Sequence, residues 1–364
     1  MRSIKRLLIA GCCCAFTSCA AWSWPVARAP APPPAPSLTL PQQVGAAPGG
    51  RQPPPIPPPP PPTPSTPPDQ FDIQRLSKQL TDVSFMTQLG SEMIVRKLIY
   101  SGADKLPIPA YLFAPRDTDR RHAALLFVHD GIHSDLKDLY VRHIRSLVRE
   151  GYVIIAPEYR GSTGYGRAFY DSIDYGGKEV EDVIAARDYL RSFVQYADVG
   201  RLGIIGWSHG GFIALHAIFR RPELFKVAVA HVPVADLPAR IRTHAATYER
   251  MFAAQKAFGG TLAERPQPYL ERSPVAHARK LQTPLLVHAA TNDDDVFIIE
   301  NRNLRDSMVV AGKDRAGLFS YREWTDPPGG HSFNRIDTPE ARESWNATLA
   351  FLRSYLSPSS RPRR

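Results

Sequence analysis

The chain has 364 residues, with 45 Lys and Arg against 35 Asp and Glu, and its four cysteines (Cys12, Cys13, Cys14, Cys19) all lie near the start. That placement excludes a disulfide-stapled body. Eight of the basic residues lie before residue 69 or after residue 360, leaving 37 basic against 35 acidic residues between. Most of the net charge of +10 therefore belongs to the ends, which argues against a basic nucleic-acid-binding face.

Residues 1–20 read as an export signal. Arg2, Lys5 and Arg6 precede the apolar or small run Leu7–Thr17, too short to span a bilayer. Phe16-Thr17-Ser18-Cys19 resembles a lipobox, making Cys19 the expected lipidation site and membrane attachment. Cleavage after Ala20 or Ala21 is the alternative. The expected location is exported, periplasmic or cell-envelope. Residues 21–68 hold a proline-rich segment, with 20 of the 36 prolines between Pro25 and Pro68. Such a composition cannot build a core and favours polyproline II, so it reads as a disordered linker.

Residues 69–358 carry the folded pattern, and 359–364 form a basic tail. Phe71–Leu80 has the spacing of a short amphipathic helix. Glu92–Tyr100 and Ile108–Ala114 read as paired strands across the turn at Ser101. From Ala123, strands alternate with helices, which predicts a mostly parallel sheet flanked by helices. Strands are expected at Ala124–His129, Tyr152–Pro157, Arg201–Gly206, Lys226–His231, Pro284–Ala289 and Leu318–Trp324. Helices are expected near Leu136–Glu150, Glu179–Phe193, Gly210–Arg220, Ile298–Ala311 and Pro339–Leu356. Between Ala235 and Ala278 the alternation breaks into a charged helical stretch, expected to be a small cap over the site.

One motif organises the rest. Gly206-Trp207-Ser208-His209-Gly210 sits between a strand and a helix, the context of a G-x-S-x-G nucleophile elbow and hence of an α/β-hydrolase fold. The glycines leave room for a sharp turn, and the helix that follows aims free N–H groups at the serine. A serine hydroxyl needs an imidazole to take its proton and a carboxylate to orient that imidazole. His331 and the acids of Asn292–Asp295 follow in the expected order at other strand ends. From the residues alone, Asp293, Asp294 and Asp295 all remain candidates for the acid. The acidic run also fits a solvated loop or a calcium site, but no second cluster of oxygen ligands accompanies it. His129 and His133 lack further ligands at zinc spacing. No cofactor or metal is expected.

Several segments together resemble the catalytic domain of the prolyl oligopeptidase family: Gly206–Gly211, Arg160–Gly166, Gly176–Asp182, Leu285–Val296 and Gly329–Phe333. The resemblance spans roughly residues 92–356. It implies Ser208 as nucleophile, His331 as general base and Asp293 as orienting acid. The His209 N–H would donate to the oxyanion, helped by the loop His129, Asp130 and Gly131. Val232 and Val296 would line the pocket for the residue before the cleaved bond. Two family tyrosines are replaced here by His129 and His209, and the acid loop is one residue longer than usual. The β-propeller of large members is expected to be missing. The implied function is hydrolysis of peptide bonds in small peptides or aminoacyl derivatives through an acyl-enzyme. A carboxylesterase on the same triad is the alternative, and a tethered non-catalytic binding module the third reading. The expected partner is a peptide or ester substrate; no nucleic acid or protein partner is expected.

Overall fold

Residues 69–357 are described by the computed structural model. The expected leader, Cys19, the proline-rich segment and the basic tail lie outside the described residues. Eight strands form one sheet: β1 (Ile94–Ser101), β2 (Pro107–Ala114), β3 (His122–Val128), β4 (Val153–Pro157), β5 (Ala197–Trp207), β6 (Val227–His231), β7 (Leu285–Ala290) and β8 (Phe319–Trp324). Their order is β1-β2-β4-β3-β5-β6-β7-β8. β1 and β2 pair antiparallel, β2 pairs antiparallel with β4, and every pairing from β4 to β8 is parallel.

The helices are α1 (Gln70–Leu89), α2 (Val141–Arg149), α3 (Arg167–Tyr170), α4 (Lys178–Phe193), α5 (His209–Arg220), α6 (Leu237–Thr243), α7 (Ala246–Ala253), α8 (Pro266–Glu271), α9 (Ile298–Val310) and α10 (Pro339–Leu356). Side-chain alternation along the strands divides the core between two faces. Ala124, Leu126 and Val128 of β3 join the cluster under α4 and α5, while Leu125 and Phe127 join α1, α2 and α10 on the other face. Both faces of β3, β4, β6 and β7 are covered, so these strands are buried along their whole length, whereas the edge strand β8 alternates.

Three boundaries depart from the sequence expectation. α1 runs nine residues past Leu80. Its start is fixed by Asp69, whose carboxylate accepts the N–H groups of Phe71 and Asp72 at 2.8 and 2.9 Å. Its later turns are held by Phe85 and Leu89, both fully buried. α2 begins at Val141 rather than Leu136, because residues 136–140 are drawn into a loop and a short 3₁₀ turn beside the site. β5 begins four residues early, where a register shift opposite Ala123 and Ala124 lets the chain pair on both sides of a bulge.

Candidate active site

Four strands deliver the principal residues at their carboxyl ends, where an open α/β sheet gathers its chemistry. β5 ends at Trp207 and is followed directly by Ser208, which has φ 53° and ψ −118°. A non-glycine residue held there is strained, and the surrounding bonds hold it. The Ser208 N–H donates to His231 O at 2.9 Å, and Ser208 O accepts from Phe212 N at 2.9 Å. A Cβ at Gly206 would run into the Gly210 carbonyl oxygen, and one at Gly210 into the carbonyls of Val128 and His129. The elbow thus presses against both its own helix and the neighbouring β3 loop. α5 starts at His209, so its positive end faces Ser208.

The acid and histidine loops lock onto one another. Thr291 Oγ1 donates to Asp326 Oδ1 at 2.8 Å, and Asn292 Nδ2 donates to Pro327 O at 3.1 Å. Asp293, almost fully buried, accepts the Val296 and Asp295 N–H groups at 2.7 and 3.0 Å. Its carboxylate meets His331 Nδ1 at 2.8 and 2.9 Å. Asp295 sits on the other side of the ring, with Oδ2 3.5 Å from Nε2. Asp294 is exposed. Among the described residues no hydrogen bond joins Ser208 Oγ to His331; in unliganded sites such contacts are often long and tighten with substrate.

The oxyanion loop is held from beneath. The His129 ring is buried, stacked on Tyr159 with centroids 4.4 Å apart, and its Nε2 lies 3.1 Å from Ser162 Oγ and 3.4 Å from Glu158. The ring is therefore turned into the protein, and Gly131 is the member of this loop that lines the cavity beside Ser208. Tyr159 donates its hydroxyl to Gly131 O at 2.6 Å. Asp130 takes the Tyr140 hydroxyl at 3.0 Å and pairs with Arg335, which also donates to His331 O at 3.3 Å. Burial would push the Asp130 carboxyl up, but the Arg335 guanidinium holds it below the usual carboxylate range. Arg335 thereby joins the oxyanion loop to the histidine loop.

A cavity of about 320 Å³ adjoins Ser208, walled by Gly131, Ile132, Tyr175, Val234 and, from the insertion, Tyr248 and Met251. The insertion Ala235–Ala278, here α6, α7 and α8, thus shapes one side of the pocket. Val232 and Val296 do not line this cavity. Val232, at φ 41°, packs with Ala290, Trp324 and Phe333, and Val296 lies in the main core. The reversed backbone at Val232 turns its side chain from the cavity, and Val234, two residues on, occupies the wall.

The sequence reading did not find Lys78, Arg240, Glu300 or Arg335. Lys78 is 3% exposed and contacts Asp135 at 3.1 Å, Leu136 O at 2.9 Å, and Glu158. A signal existed: Phe71, Lys78 and Phe85 are spaced seven apart on one helix face, so the lysine interrupts an apolar stripe.

The sheet order, the flanking helices and the strand–Ser208–helix elbow define an α/β-hydrolase fold. Residues 139–359 match the model of the prolyl oligopeptidase family, and the chain belongs to that family. It is 26% identical over 253 residues to the uncharacterized peptidase YuxL of Bacillus subtilis, covering 68% of this chain and 37% of that protein. It is 31% identical over 195 residues to acylamino-acid-releasing enzyme 2 of Oryza sativa subsp. japonica, covering 51% and 25%. A puromycin-hydrolyzing peptidase of Mycobacterium tuberculosis superposes with a TM-score of 0.60 at 26% identity, covering 73% of this chain and 40% of that one. The chain thus spans well under half the length of these relatives.

Proposed function

We propose that this protein is a serine peptidase acting on small peptides or aminoacyl derivatives through an acyl-enzyme. The observation that carries the reading is the Asp293 carboxylate on His331 Nδ1, beside a serine held on a strained elbow. In the proposed reaction Asp293 fixes the tautomer, so that His331 Nε2 accepts the Ser208 proton as Oγ attacks the carbonyl carbon. The carbonyl oxygen takes up negative charge facing the His209 N–H at the start of α5, with the Gly131 loop backbone as second donor. Collapse of the adduct expels the amine, which takes its proton from His331. Water, deprotonated by the same nitrogen, then releases the acyl group. The names of the relatives, a peptidase and an acylamino-acid-releasing enzyme, favour an amide over an ester substrate. The leader and Cys19 support a location outside the cytoplasm with lipid attachment.

The test compares aminoacyl and short peptidyl p-nitroanilides with p-nitrophenyl esters of the same acyl groups. Anilide turnover abolished by Ser208→Ala supports a peptidase. Rapid ester hydrolysis with no anilide or peptide cleavage would make the protein an esterase.

A further inference from the structure

The proposed proton relay uses Asp293 and leaves Asp295 without a task, although the Asp295 carboxylate is itself held in place by an arginine. Its Oδ1 accepts from Arg240 Nη2 at 2.6 Å, and its main-chain oxygen accepts from Nη1 at 2.8 Å. Arg240 in turn donates to Tyr248 at 2.6 Å and to the fully buried Glu300 at 3.0 Å. Glu300 is anchored by the Ala235 N–H at 3.2 Å. This frame leaves the second oxygen, Oδ2, 3.5 Å from His331 Nε2, the nitrogen that would serve Ser208.

Asp295 and Arg240 both line the cavity that adjoins Ser208. Burial pushes the Asp295 carboxyl up, but Arg240 and His331 hold it below the usual carboxylate range, and it is ionised at neutral pH. Half of its side chain is exposed, so the charge faces the space a substrate would enter.

The geometry of an acyl group says what would meet that charge. When Ser208 Oγ bonds to a residue's carbonyl carbon, that residue's α-nitrogen lies about 2.5 Å beyond it, two backbone bonds away. His331 Nε2 must be within about 3.2 Å of Oγ to serve it. The α-nitrogen is thus no more than about 7 Å from Nε2, and Asp295, with Oδ2 3.5 Å from Nε2, lines the same cavity as Ser208.

We infer that Asp295 receives the free α-ammonium of the residue whose carbonyl is attacked, so that the enzyme removes single residues from unblocked amino termini and aminoacyl derivatives. This rests on the serine peptidase reading. The same group rejects N-acylated substrates, because acylation removes the positive charge and sets a carbonyl oxygen against a carboxylate. The side chain of that residue enters the cavity between Tyr175, Val234 and Met251, whose volume of about 320 Å³ admits side chains larger than Ala or Pro.

The experiment measures kcat and KM of the full chain on the p-nitroanilides of L-leucine and L-phenylalanine, and on their N-acetyl counterparts. Wild type should favour the free amines by about tenfold or more in kcat/KM, the scale of one charge-assisted contact. Asp295→Asn should bring that ratio toward one, chiefly by raising KM for the free amines, and Asp295→Glu should restore part of it. A wild-type ratio at or below one overturns the inference. So does an Asp295→Asn effect that lowers kcat alike for both series, which would make Asp295 a partner of His331 only. Protection of Ser208 from a fluorophosphonate by L-phenylalaninamide, against N-acetyl-L-phenylalaninamide, reads the same preference without turnover; equal protection overturns it too. If the fluorophosphonate fails to label Ser208 at all, the serine peptidase reading itself falls and carries this inference with it.

Discussion

Lys78→Met removes the ammonium from a buried cluster beneath the oxyanion loop while keeping most of the aliphatic volume. In wild type the Lys78 ammonium contacts Asp135, Leu136 O and Glu158, and Glu158 is fully buried. Without it, Glu158 keeps the Leu136 N–H at 3.3 Å and His129 at 3.4 Å, and Asp135 keeps the Thr163 hydroxyl at 2.9 Å. Breaking one partner out of a buried pair costs about 3–5 kcal/mol. At about 2–4 °C per kcal/mol for a domain of this size, the melting temperature should fall by roughly 6–20 °C. The deficit should depend on pH. Burial raises the Glu158 carboxyl, but Lys78 outweighs it and the group sits below its ordinary value. Its wild-type contribution is therefore present at neutral pH and is lost as pH falls through the folded value. In Lys78→Met the unpaired carboxyl moves upward and takes a proton more readily. Scanning fluorimetry should then show a larger gap between the proteins at pH 8 than at pH 5. Lys78→Met/Glu158→Gln should recover part of the loss. A deficit below about 1 kcal/mol at pH 8, or one that grows in acid, would refute this reasoning.

Asp293→Asn should lower kcat on the order of 10⁴-fold with little change in melting temperature, by the logic of a wrongly held imidazole tautomer; steady-state kinetics and a thermal melt check both halves. Gly206→Ala should abolish activity and reduce soluble yield, because the added methyl meets the Gly210 carbonyl inside the elbow. His143 and His288 are buried, and burial pushes both down to about 3. Their folded values lie below the unfolded value near 6.5, so the neutral rings favour the fold above that pH. Stability should fall as pH drops from about 6.5, by up to about 1.4 kcal/mol per pH unit for each ring, measured by denaturant titration at several pH values.

Sheet order aside, the central strands and flanking helices were legible because β3, β4, β6 and β7 are short, largely apolar runs set between helical stretches. The elbow was legible for a similar reason: its glycines sit where no side chain fits. The end of α1 was harder to place, since Thr81, Asp82 and Ser84 resemble a stop and only tertiary contacts of Phe85 and Leu89 carry the helix on. Among Asp293, Asp294 and Asp295, composition does not choose. The choice lies in how the loop folds, with Asp293 turned under Val296 N and onto His331 Nδ1. That Val234 rather than Val232 lines the cavity beside Ser208 was not legible, because a positive φ at Val232 is not visible in the sequence. Lys78, Arg240 and Arg335 act across 55 to 205 positions of sequence, and such pairings leave no local pattern.

The most direct test of the central claim is intact-protein mass spectrometry after treatment with a fluorophosphonate, followed by peptide mapping. The account predicts one adduct per chain, located on Ser208, absent from Ser208→Ala, and formed far more slowly in Asp293→Asn. An unmodified protein, or an adduct on another serine that persists in Ser208→Ala, would contradict it.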